Sequence, residues 1–81
     1  MMTATEVRIA RILDCVVSDR ARRDCKMRFA RSMVADGAPR SYVRSYIKSA
    51  RIASRTAVQR LRYVRDLREE IRVDAILKAG F

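Results

Sequence analysis

The residue types that dominate this chain are cationic, and those that usually run catalysis are missing. Nineteen Lys and Arg stand against nine Asp and Glu, and there is no His. Without His, the commonest general base and the commonest metal ligand are both absent. Cys15 and Cys25 lie ten residues apart, which is neither metal-ligand spacing nor a disulfide framework, and they read as buried free thiols. Glu69 and Glu70 are adjacent, so on a helix they face different directions and read as solvent charges rather than as an acid–base pair. No Gly-rich phosphate loop is present. These absences point away from an enzyme and imply no metal, no cofactor and no small-molecule substrate.

The chemistry left is charge, and it is unevenly placed. The net charge is +10. Residues 1–36 carry eight Lys or Arg and five acids, residues 37–65 carry eight and none, and residues 66–81 carry three against four. With residues 40–65 on one helix, Arg40, Arg44, Lys48, Arg51, Arg55, Arg62 and Arg65 fall within an arc of about 100° at 3.6 residues per turn. Val43, Tyr46, Ala50, Ala53, Ala57, Leu61 and Val64 fall on a separate arc about a third of a turn away. The second arc is the expected core face, and the first is a cationic ridge. Like charges three and four apart repel by a few tenths of a kcal/mol per pair. The chain places acids at such spacings only afterwards, at Asp66, Glu69, Glu70 and Asp74. An acid-free ridge predicts a polyanionic partner, since Arg forks onto phosphate and carboxylate oxygens. The opposing expectation is that Asp14, Asp19, Asp24 and Asp36 fold across the ridge and neutralise part of it. Tyr42 and Tyr46 are expected to pack in the core, with base stacking as the other reading.

The elements that must carry this ridge are helices. Two Gly and one Pro are the only breakers in 81 residues, enough for one domain over 1–81, and strand-type alternation is absent. Thr3 and Glu6 have capping-box spacing, with Met2 and Val7 at staple positions. Ile9, Ile12, Leu13, Val16 and Val17 form one stripe, while Ala21, Cys25, Phe29, Ala30, Met33 and Val34 form another that points elsewhere. Ser18 and Asp19 between them are N-cap types, so a break is predicted at 18–20, with one continuous helix as the alternative. Gly37 followed by Pro39 marks a turn, with Pro39 at the first helical position. Gly80 is a second left-handed cap, on which Phe81 would fold back toward Ile76. The prediction is an all-α fold, a small helical bundle or helical hairpin, with helices near 4–17, 19–36 and 39–78. The places where the last helix would kink are 54–56 and 72–74.

Thr56 and Gln59 also have capping-box spacing. The stretch Ser54-Arg55-Thr56-Ala57-Val58-Gln59-Arg60-Leu61-Arg62 resembles the turn and recognition helix of helix-turn-helix regulators. That resemblance implies that Arg55, Gln59, Arg60 and Arg62 reach bases or phosphates. It covers nine residues and departs from the pattern: Arg51-Ile52-Ala53 stands where the turn glycine belongs, and Lys48 where a small residue is expected. The unbroken apolar phase favours a single helix.

These features lead to three functional expectations. The first is a non-enzymatic protein that docks on nucleic acid, DNA or RNA, through Arg40, Arg44, Lys48, Arg51, Arg55, Gln59, Arg62 and Arg65. The alternative is a small viral-type inhibitor or adaptor that binds an acidic protein or nucleoprotein surface, such as a nuclease, a polymerase or an RNA-guided effector. A ribonucleoprotein subunit is a third. No apolar run approaches a membrane span and no signal-peptide core is seen, so an intracellular location, cytoplasm or nucleoid, is expected with no membrane partner. Leu61, Val64, Leu67, Ile71 and Ile76 suggest that the far end of the last helix pairs with a second chain as a homodimer.

Overall fold

The computed structural model describes residues 1–80. It contains two helices, α1 (Ala4–Ala35) and α2 (Arg40–Lys78), packed against each other as an antiparallel helical hairpin. The body measures 65 × 22 × 13 Å.

The start of α1 follows the sequence signal. Thr3 is the N-cap, and its hydroxyl oxygen accepts from the Glu6 backbone N–H at 3.1 Å. Met2 and Val7 are both exposed. The expected break at 18–20 does not occur, and the segments predicted as 4–17 and 19–36 are one helix. The reason lies in which residues form the seam. Thr5, Ile9, Ile12, Val16, Asp19, Arg23, Lys26, Ala30 and Met33 alternate four and three apart, and each is buried or half-buried. This is a heptad seam whose middle is charged. Val17, Ala21, Phe29 and Val34, which bent the apolar stripe away from its first direction, are exposed. Asp19 is not a cap but a buried seam residue, 3% exposed.

The seam of α2 has the same rhythm: Val43, Tyr46, Ala50, Ala53, Ala57, Arg60, Val64 and Leu67, all buried or half-buried. The register is fixed by Phe29 stacked on Tyr46 at 5.9 Å, by Arg60 bonded to Asp19 at 2.6 Å, and by Arg8 lying 5.3 Å over the ring of Tyr63. The apolar core gathers at the open end, where Ile9, Val64 and Leu67 pack with Ile12 and Leu13. Arg23 and Lys26 lie in the stretch of α1 alongside Ala50 and Ala53, between the Asp19 and Phe29 contacts. Alanines leave room there for long aliphatic stems whose charged heads reach water, and Lys26 sets its Nζ 5.2 Å from the centre of the Tyr46 ring.

The turn explains the antiparallel pairing. Gly37 has φ +74°. Its N–H donates to the Val34 carbonyl at 3.1 Å, and the Ala38 N–H donates to the Met33 carbonyl at 2.9 Å. These are the two bonds of a Schellman motif, with glycine where a side chain would be strained. Pro39 is the N-cap rather than the first helical residue, one position earlier than expected. Gly80 repeats the positive φ, at +72°. The contact expected of Phe81 lies outside the described residues.

α2 runs through 54–56 and 72–74 without interruption. Thr56 does not cap a new helix, because its hydroxyl donates to the Ile52 carbonyl at 3.0 Å within the same one. The turn required by the helix-turn-helix resemblance is therefore absent. The proposed self-pairing face is corrected as well: Val64 and Leu67 are buried under α1 and Leu61 is half-buried, while Ile71 and Ile76 are exposed. Tyr46 packs, but Tyr42 is 60% exposed.

Candidate polyanion-binding face

The ridge is built by one element. Because α2 is unbroken from Arg40 to Lys78, the angular arcs drawn at 3.6 residues per turn over residues 40–65 lie on one helix. The apolar arc is pinned against α1, so the cationic arc must face away. Arg40, Arg44, Lys48, Arg51, Arg55, Arg62 and Arg65 are all exposed, and so is Gln59. From Arg40 to Arg65 the ridge extends about 38 Å at 1.5 Å per residue.

Among the described residues the ion pairs are Arg23–Asp24, Arg60–Asp19 and Arg72–Glu69. None involves a ridge cation. Two of the acids expected to cross to the ridge are engaged elsewhere, Asp24 by its neighbour Arg23 and Asp19 by Arg60. Arg60, the eighth cation of the acid-free segment, is the exception to its exposed surroundings. It turns into the seam, where its Nη1 donates to Asp19 Oδ2 at 2.6 Å and to the Cys15 carbonyl at 3.3 Å.

The ridge is not uniform. Arg44, Lys48, Arg51 and Arg55 surround a shallow groove floored by Ile47 and Ile52. Arg40 sits by the turn, sharing a depression with Val34, Ala38, Val43 and Arg44. Gln59 leans the other way, toward a crevice between the helices lined with Arg8, Ile12, Thr56, Arg60 and Tyr63. Arg62 and Arg65 continue the line beyond it. Sequence reasoning overlooked Ile47, which shares the edge of the cationic arc with Arg65, and Ile52, which lies just beyond the other edge. Their signal was two large β-branched residues among cations, off the core phase. A smaller basic cluster, Arg23, Arg28 and Arg31, lies on α1.

The two thiols are free, but they are not core groups: Cys15 is exposed and Cys25 half-buried, because neither falls on the seam. No group of His, Cys, Asp and Glu among the described residues could hold a metal ion. No described helix is long and apolar enough to cross a membrane. Set against protein-family models, curated proteins and solved structures, the chain matches none.

Proposed function

We propose that this protein is a non-enzymatic binding module that lays the outer face of α2 along a nucleic-acid backbone. The observation that carries this reading is the row of seven exposed cations on one helix, none held by a carboxylate among the described residues. Such a row is under mutual repulsion, and a line of phosphates relieves it. The contacts are with phosphates rather than bases, because positive charge is what the seven ridge side chains share.

The test is fluorescence anisotropy with a labelled duplex and a labelled single strand across a salt series. If each ridge cation neutralises one phosphate, log K falls against log salt with a slope near −6 on duplex DNA, so affinity drops more than about 10³-fold from 50 to 200 mM salt. An affinity that barely moves over that range contradicts the reading.

A second reading draws on Ile52, which is 54% exposed within the cationic groove. A phosphate chain offers it no apolar cover, whereas an acidic protein surface with an apolar residue does. An inhibitor or adaptor docking on a protein or nucleoprotein complex fits that groove. Retention of a defined acidic protein partner after nuclease treatment separates the two readings.

A further inference from the structure

The outer face of α2 carries a second stripe with a seven-residue repeat. Lys48, Ile52, Arg55, Gln59, Arg62, Asp66, Glu69, Val73 and Ile76 alternate four and three apart, and all are exposed. This is the spacing that lets one helix lie along another. The composition of the stripe reverses about its middle. Its first half is basic with an apolar residue, Ile52, near the outer end. Its second half is acidic and ends on Val73 and Ile76. Read backwards, the stripe sets Arg62 against Asp66, Gln59 against Glu69 and Ile52 against Ile76, while Arg55 falls against Val73. The acidic half cannot fold onto the basic half within one chain, because both belong to one unbroken helix. α1 occupies the opposite seam and borders this stripe only at Gln59, across the crevice that also holds Arg8 and Ile12.

The geometry points to a second copy of this chain lying antiparallel along the outer face of α2, about a two-fold axis at the level of Val64. In that register Arg62 lies beside Asp66 of the second copy, Gln59 beside its Glu69, Arg55 beside its Val73 and within a turn of its Glu70, and Ile52 beside its Ile76. A two-fold interface makes every such contact twice. Ile52 is 54%, Val73 43% and Ile76 45% exposed in the single hairpin, and all three are covered in the pair. Two features oppose it. Arg65 of the two copies approach each other at the axis, an approach the neighbouring Asp66 residues offset. Glu69 also already holds Arg72 at 2.6 Å. This occupant differs from nucleic acid, and both use Arg55 and Arg62, so the two modes of binding exclude each other.

The experiment is sedimentation equilibrium of the full chain at micromolar concentration without nucleic acid. At about 50 mM salt, where exposed charges are weakly screened, the expected mass is twice the 9.4 kDa monomer, falling toward one copy as salt is raised. The variants Arg55→Glu/Arg62→Glu and Asp66→Arg/Glu69→Arg each set like charges opposite in their own pairs, and each weakens self-association by about tenfold or more. Mixed, the two variants are complementary again and form a one-to-one heterodimer. Helix content by circular dichroism verifies that both remain folded. A monomeric wild type at low salt, a reversed variant that dimerises like the wild type, or a folded mixture that stays monomeric overturns the proposal. Asp66→Arg/Glu69→Arg keeps all seven ridge cations and adds two, so its salt slope on duplex DNA stays at or above that of the wild type even when the dimer is lost, which separates failure of the dimer from failure of the ridge.

Discussion

Replacing Arg60 by alanine should cost this hairpin far more than replacing Asp19, although the two residues share one ion pair. The Asp19 side chain is 4% exposed, while that of Arg60 is 39% exposed. Removing Arg60 leaves a carboxylate in the seam without its 2.6 Å partner, and breaking a buried pair in this way costs about 3–5 kcal/mol. The partial access of water to Arg60 places the value near the lower end, about 3 kcal/mol. Removing Asp19 instead leaves a guanidinium that needs only a rotamer change to reach solvent, at a cost of about 1 kcal/mol. A chain of 81 residues at roughly 0.05–0.15 kcal/mol per residue has about 4–12 kcal/mol in all. Arg60→Ala therefore removes a large share of it. Replacing both by leucine restores an apolar seam and should match or exceed wild-type stability. The assay is urea unfolding followed by far-UV circular dichroism on the two single variants and the double alanine variant, combined as a thermodynamic cycle. A coupling energy near zero, or an Asp19→Ala loss equal to that of Arg60→Ala, refutes the account of Asp19 as a carboxylate that depends on Arg60 for its burial.

Other expectations concern separate parts of the molecule. Changing Arg40, Arg44, Arg51 and Arg65 to glutamine removes four of the seven ridge cations and should flatten the salt slope of duplex binding by about 3.6; thermal melts should show no loss of stability. Gly37→Ala forces a side chain onto φ +74° and should lower stability by about 1–2 kcal/mol, read as a shift in urea midpoint; beyond its chain neighbours nothing lies within 4 Å of the added Cβ, so the whole loss is conformational. Ala53→Leu adds bulk where the seam is closed, 5% exposed, and should cost about 1–3 kcal/mol in the same melt.

The second helix could be read from the sequence almost entirely, because its seam consists of apolar residues apart from Arg60, and a seven-residue rhythm of Val, Tyr, Ala and Leu is visible as a stripe. The first helix was harder for a definite physical reason. Three consecutive seam positions are Asp19, Arg23 and Lys26, so the visible apolar residues trace a line that swerves around them. Polar residues that pack across a helix pair look, in one dimension, like caps or solvent charges. Their partners, Arg60 and the rings and alanines of α2, become apparent only when the chain has folded back. The turn was signalled by Gly37, and Pro39 was displaced by one residue because its carbonyl, which accepts from Tyr42 at 3.1 Å and Val43 at 3.4 Å, serves at the cap itself. The exposed cations of the ridge followed from helix geometry alone, since a face opposite a seam has nowhere else to point. Gln59 shared their exposure but borders a different crevice, because it lies at the edge of the arc, next to the side occupied by Tyr63.

The glycine turn also governs the order in which the rod can assemble. Phe29 and Tyr46 meet close to Gly37, and bringing them together closes only a short loop. Asp19 and Arg60 are 41 residues apart, and the Ile9–Val64 cluster closes a longer loop still. Each pair is easier to form once the pair nearer the turn is in place, because the loop left to close is then small. Folding should therefore run like a zip from the turn, with the best apolar cluster fastened last. That cluster holds the open end, where fraying would otherwise begin.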